Sequence, residues 1–431
     1  MDDDLIDSSE LPIDRRSLLP GTGFFYPDSL DEGRSEERAK AALEDAEAVV
    51  VTDSDADGLG CVALIREAYD AACDVEPFLD AIEEKLDDGD ESGVIDDEPE
   101  LPESTVGLIA AGPHSLTKSL EYVAAYGDSG IDVFVCDISP DAYESVADPL
   151  GTVIEQSNRV SWYDHHQWPE DAAAGVRDAG VDLVIGDSDE ECSTDVTLRS
   201  LDYEFDDRFT ELAAVTRDHD LWINDDPRSK DLADYAFWTD PAEYAAVVGA
   251  YGASLPDVVE AYIADRRVEK EQLIEKAVDR AAYKSIGPWT VGVTYGRCSQ
   301  NEVADELQAA GADAAVIVKP SGSASIRGGE RFESAHLVAR QVSGGGHPKA
   351  AGCKPEIYDD MMDYAYHWTT EGEAAKRVIL QAFRRVAEEH AAADSNDETA
   401  DSNDETTDSD DETTNGDGEP ADSDADDGAT E

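Results

Sequence analysis

The sequence predicts an α/β fold: a doubly wound, mainly parallel sheet, joined through a helical linker to a smaller α/β domain. Three observations predict it. Nearly continuous apolar runs alternate with helical patterns over residues 45–250, a long charged periodic stretch follows, and a second, shorter alternation then begins.

Residues 1–44 read as an N-terminal extension. Strands are expected at 48-AVVVT-52, 106-VGLIAA-111, 131-IDVFVC-136, 160-VSWY-163 and 181-VDLVIG-186. Each run is apolar without alternation, as strands covered on both faces are. Helical patterns lie between them, for example 59-LGCVALIREAYDA-71. Residues 45–250 thus form one domain, where catalysis is expected. The periodic stretch 255–284 reads as a connecting helix, within a linker at 251–285. A second domain, 286–392, shows strands at 289-WTVGVTY-295, 314-AAVIV-318 and 323-SASIRG-328, then a helix and a glycine loop, 343-SGGGHPKAAG-352. Two lobes joined by a helix commonly hold a site in the cleft between them. The acidic stretch 83–104 reads as a surface loop. The segment 393–431 closes the chain; its last 38 residues hold 17 acids, no base and no aromatic, and are expected to be disordered.

There are 102 acidic residues against 32 basic ones, a formal charge of −70 in 431 residues. Such a chain repels itself unless salt screens it. The charge reads as adaptation to a salt-rich, halophilic cytoplasm, and it does not exclude nucleic acid as a partner. Arg outnumbers Lys, 21 to 11. The six cysteines lie far apart with no CxxC pair, so neither a disulfide framework nor a zinc site is expected. No signal peptide and no window of 18 apolar residues is visible, which predicts a soluble cytoplasmic protein without a membrane partner.

The chemistry begins at 49-VVVTDSDADGLG-60. Asp53, Asp55, Asp57 and Gly58 match the start of a calcium-binding EF-hand loop. That loop also needs a Glu at its twelfth position and a helix before it. Leu64 stands at the twelfth position and a strand precedes, so this reading fails. Two remain: an ordinary acidic turn, or a metal site at the carboxyl end of a strand. Other strand ends repeat the pattern. Asp137 follows 131–136, and Asp164-His165-His166 follows 160–163. The segment 212-LAAVTRDHDLW-222 adds Asp218 and Asp220 after an apolar run. Carboxylates with one or two imidazoles suit Mn²⁺, or Mg²⁺ as the second choice. More carboxylates converge than one ion needs, which favours two ions about 3.5–4 Å apart, clamping a phosphoryl oxygen and activating a water.

The set VTDSDADG, VFVCD, WYDHH, TRDHDLW and GGGHPKAAG, in this order, resembles the DHH phosphoesterase superfamily, in the RecJ-like branch with a C-terminal DHHA1 domain. The resemblance spans roughly residues 45–355. It implies that Asp53, Asp55 and Asp218 hold one metal, that Asp57 and His165 hold the second, and that Asp137 bridges them. Asp164 then orients the histidine ligand, and His166 sits nearer the substrate. Many family members have histidine where Asp53 stands. Asp220 reads as a supporting residue or an exposed acid. Gly344, Gly345 and Gly346 can bring backbone N–H groups close to a phosphate, since no Cβ intervenes. His347, Lys349 and Arg327 supply nearby hydrogen bonds or charge.

The implied activity is two-metal hydrolysis of nucleic acid phosphodiester bonds by a RecJ-like single-strand exonuclease, with DNA repair or replication partners. A nano-RNase-like phosphodiesterase of short oligonucleotides, cyclic dinucleotides or phosphoadenosine phosphate is the alternative. A silent binding subunit is disfavoured, because every expected ligand position carries a competent residue.

Overall fold

The computed structural model of the chain describes residues 28–87, 104–112, 115–140, 142–358 and 360–401. It divides into two compact units, residues 1–279 with 296–299, and residues 280–295 with 300–431.

The first unit runs α1 (Asp28–Leu43), β1 (Ala48–Thr52), α2 (Ala56–Ala68), α3 (Glu76–Asp87), β2 (Val106–Ala110), α4 (Leu116–Tyr126), β3 (Asp132–Cys136), α5 (Ala147–Gln156) and β4 (Arg159–Asp164). It continues with α6 (Glu170–Asp178), β5 (Asp182–Ile185), α7 (Ser193–Ser200), α8 (Asp207–Asp220), α9 (Pro227–Trp238), α10 (Pro241–Tyr251) and α11 (Asp257–Asp279). All five strands are parallel, in the order β2-β1-β3-β4-β5. Every residue of β1 is buried, as expected for a central strand with helices on both faces. Period-two alternation divides its side chains between two cores. Ala48 and Val50 face a core with Phe134, Cys136 and Tyr163, while Val49 and Val51 face one with Val133, Val135 and Trp162.

This strand order reverses direction beside β1, and open α/β sheets bind ligands at such a reversal, beyond the carboxyl ends of the strands. The register sharpens the point. Thr52 pairs with Cys136, and Cys136 pairs with Tyr163. The next residues, Asp53, Asp137 and Asp164, therefore stand side by side along one sheet edge. Gly58 is what lets β1 turn straight into α2: a Cβ there would lie 2.5 Å from the Asp53 carbonyl oxygen.

The second unit comprises β6 (Ala282–Ile286), β7 (Trp289–Tyr295), α12 (Gln300–Ala309), β8 (Ala314–Val318), β9 (Ala324–Gly328), α13 (Ala335–Arg340), β10 (Gly344–Gly346), β11 (Ala350–Cys353), α14 (Met361–Thr369) and α15 (Glu373–Asp401). Its sheet is mixed, in the order β10-β11-β9-β8-β7-β6.

Six expectations need correction. The connecting helix ends at Asp279, and 282–286 is a strand paired with β7, not the end of a helix reaching 284. The helix itself belongs to the first unit, where Val259, Tyr262 and Ile263 are buried. Its apolar stripe packs inward, so it is more than a spacer. The glycine segment is a β-hairpin, with Gly344 opposite Cys353 and Gly346 opposite Ala351. Helix α15 runs to Asp401, past the expected domain end at 392 and into the segment expected to be disordered; 391-AAA-393, good helix formers, carry it across that boundary. Residues 402–431 lie outside the described residues, as do 88–103 of the acidic stretch. Its first residues, 83–87, are helical rather than loop. Within the N-terminal extension, α1 is part of the domain, with Ala39 and Leu43 buried. No helix among the described residues is long and apolar enough to cross a membrane.

Candidate metal centre

Asp57 sits in the first turn of α2 and is 2% exposed. Its two carboxylate oxygens accept the backbone N–H groups of Ser193 (2.7 Å) and Thr194 (2.8 Å), at the start of α7. A helix N-terminus is a favourable place for a buried carboxylate. Asp137 ends β3 in the left-handed region, φ +57°, and its carboxylate accepts the Ser193 hydroxyl at 3.0 Å. His165 follows β4, 7% exposed. Its Nε2 lies 3.3 Å from Asp220, 3.8 Å from Asp137 and 3.9 Å from Asp57. One imidazole nitrogen is therefore ringed by three carboxylates from three different elements.

These ligand atoms form two overlapping groups, Asp57-His165-Asp220 and Asp137-His165-His166, each within 4.8 Å. In the second group the His166 Nδ1 is already bonded to Asp164 at 2.7 Å, which leaves Asp137 and His165 as its open donors. Burial, then the charges of Asp57 and Asp55, push the Asp137 carboxyl well above the usual carboxylate range. Burial and the same two neighbours push Asp220 up to about 8. Asp53 is pushed up to about 6 by burial and by Asp55. Acids this crowded outnumber the one imidazolium, His166, that faces them. The His165 Nδ1 and Asp220 Oδ2 are also buried without a hydrogen-bond partner. Hard oxygen donors with one imidazole, mutually repelling and partly unpartnered, fit divalent cations.

The arrangement departs from the sequence reading at three points. Asp218 does not join the group. Its carboxylate accepts the N–H groups of Asp225 (3.0 Å) and Asp226 (3.1 Å), so it holds the turn after α8. Burial works against its charge, but these bonds and one from Ser229 keep its pKa below the usual range. Asp220 takes the place at the centre instead. Residues two apart on a helix lie on opposite faces, so only one of the pair can point there. Asp164 likewise does not bond the His165 ring. It accepts only the His165 backbone N–H (2.8 Å), and its side-chain partners are His166 and Trp168. Burial would raise the Asp164 pKa, but those two hydrogen bonds and the nearby imidazoles hold it low. Burial opposes the His166 charge, yet the bond to Asp164 lifts its pKa to about 9. His166 is 37% exposed and lines a cleft of about 600 Å³ with Trp168, Arg177 and Asp187.

Asp53 and Asp55 stand beside the centre rather than in either group. The Asp53 carboxylate accepts the Ser54 N–H at 2.6 Å. Asp55 is the N-cap of α2, accepting from Asp57 and Gly58. Ser193 and Thr194 are the functional neighbours that the sequence reading missed. Their signal was 192-CSTD-195, small hydroxyl residues opening a helix.

In the second unit, His347 N–H bonds the Ala350 carbonyl at 2.7 Å, closing the hairpin. Antiparallel alternation then turns the N–H groups of Gly346 and Gly344 away from β11, on the sheet's edge strand. Gly346 has φ +131°, and a Cβ there would lie 2.6 Å from the Ala350 oxygen; at Gly345 a Cβ would meet nothing. Arg327 is paired in register with Ala350, beside the hairpin turn. Its Nε donates to Asn301 at 2.7 Å and Nη1 to backbone carbonyls, and burial pulls its pKa down. Lys349 is exposed and faces Glu333 at 3.4 Å.

No family model matches the chain, and no curated protein matches it. Similar solved structures include the DHH domain of a member of the s1p family of ribosomal proteins (12% identity, 84% of this chain and 92% of that one, TM-score 0.48). An exonuclease RecJ bound to manganese is similar at 14% identity, over 80% of this chain and 94% of that one, with TM-score 0.43. An exopolyphosphatase-related protein from Bacteroides fragilis follows at 11% identity, over 83% and 98%, with TM-score 0.34. At this distance the chemistry of the site is drawn from this chain's own residues.

Proposed function

We propose that the chain is a divalent-metal-dependent phosphodiesterase that hydrolyses nucleic acid, releasing nucleotides from the end of a single strand. The observation that carries the reading is the ring of Asp57, Asp137 and Asp220 around the Nε2 of His165, at 3.3–3.9 Å. Asp57, Asp220 and His165 would hold one ion, and Asp137, with Asp53 and Asp55 as further oxygen donors beside it, a second. Such ions, Mn²⁺ or Mg²⁺, supply Lewis acidity toward phosphoryl oxygens and lower the pKa of water.

The chain's own residues do the rest. Ser193 and Thr194 fix Asp57 and Asp137 before any ligand arrives, so little reorganisation is needed. Asp164 keeps the His166 imidazole protonated and oriented at the mouth of its cleft, ready to hydrogen-bond a phosphate oxygen or the leaving oxygen. In the second unit, the outward N–H groups of Gly344 and Gly346, with His347, Lys349 and Arg327, suit a phosphate group of the substrate.

Labelled single strands of ~5 and ~50 nucleotides, shorter and longer than one typical binding groove, are incubated with the protein and Mn²⁺ at high salt. Nucleotides released from the long strand support the exonuclease. Release from the short strand alone supports the nano-RNase-like alternative. No hydrolysis of either sinks both and leaves a silent binding subunit.

A further inference from the structure

Strand β2 is the edge of the first sheet, and a cavity of about 470 Å³ runs along it. Arg66, in the last turn of α2, lines this cavity and is 5% exposed. Its Nε and Nη1 are out of solvent with no hydrogen-bond partner, and it forms no ion pair among the described residues. That is a costly arrangement: a buried guanidinium is ordinarily compensated by a carboxylate. It is also an unexpected one here, because acids outnumber bases 102 to 32 and a partner would be easy to supply. Arg38 and Lys118 line the same cavity. Among the described lining residues the one acid, Asp240, uses its carboxylate to cap α10 through the Ala242 N–H, at 2.9 Å. Lys118 is paired with Glu121 at 3.0 Å, so Arg66 is the buried charge that the described lining leaves uncompensated.

We propose that this cavity binds a phosphate-bearing small ligand whose dianion completes Arg66, at a site separate from the metal centre. A guanidinium offers several N–H donors in one plane, which suits phosphate better than a point charge would. The volume exceeds that of inorganic phosphate and leaves room for an attached nucleoside. The proposal does not depend on the hydrolase reading.

The test is isothermal titration of the full chain in EDTA, at constant high potassium chloride, with inorganic phosphate and separately with a nucleoside monophosphate. EDTA removes divalent ions, so the metal centre cannot contribute. Saturable binding is expected. A tighter fit for the nucleotide assigns the phosphate of a larger molecule, and equal affinity assigns free phosphate. Arg66→Leu should abolish binding while melting no lower than wild type in chloride alone, since it removes an uncompensated charge. Should that variant not fold, Arg66→Lys decides, with affinity expected to fall at least tenfold. No saturable binding to wild type, or unchanged affinity in the variants, overturns the proposal. So does binding lost in His347→Ala but kept in Arg66→Leu, which would move the anion to the hairpin.

Discussion

At the carboxyl edge of the first sheet, two buried carboxylates and a half-buried third converge on one imidazole. At the edge of the second sheet, a run of glycines turns backbone N–H groups outward beside Lys349 and Arg327. The first region gathers like charges, with the His165 Nδ1 and Asp220 Oδ2 buried and unpartnered. The second is neutral backbone with a few bases around it, and is complete as it stands. Changes in the first should therefore act on turnover, metal affinity and pH response. Changes in the second should act on substrate affinity.

The largest effect is expected at Asp137. Asp137→Ala should cut turnover about 1,000-fold or more, the loss of several kcal/mol of transition-state stabilisation. Near wild-type rates in Mn²⁺ would remove Asp137 from the centre. Next comes the pair on α8. Asp220→Asn should lower turnover about 100-fold and weaken Mn²⁺ binding, with stability kept or raised. Asp218→Asn should instead cost about 1–3 kcal/mol of stability through the turn it holds. Urea midpoints beside Mn²⁺ titrations check both; the reverse pattern would restore Asp218 as the ligand.

The third effect concerns pH. The folded-state pKa of Asp220, about 8, lies above its unfolded value, so the folded protein holds the extra proton between them. Metal-free stability should therefore fall as pH rises from about 4 toward about 8. Urea midpoints in EDTA across that range give the slope, and Asp220→Asn should flatten it. A slope unchanged by the substitution would detach it from the cluster. The smallest effect belongs to the hairpin. Gly345→Ala meets no neighbouring atom, so folding should be intact while KM rises a few-fold. An unchanged KM would take Gly345 out of the substrate path.

The parallel sheet was legible because its strands are buried on both faces and announce themselves as apolar runs. Strand β6 was not: 282-AYKSI-286 is mostly exposed, and its small and charged residues continue the helical pattern before it. The strand-end acids Asp53, Asp137 and Asp164 were readable because β1, β3 and β4 deliver them in register. The choice between Asp218 and Asp220 was not readable, since two acids two apart offer equal chemistry and only the helix phase separates them. The role of Asp164 was misjudged for a related reason. Adjacent histidines leave open which ring the carboxylate reaches, and a short turn decided for His166.

The end of α8 carries two duties at once. Asp220 reaches the imidazole of His165, while Asp218 ties down the chain that leaves the helix. A fluctuation that unwinds this one turn withdraws a ligand and releases an anchor together. Thermal inactivation should then set in at lower temperature than loss of the far-ultraviolet circular dichroism signal, and saturating Mn²⁺ should bring the two curves together by clamping the frayed end.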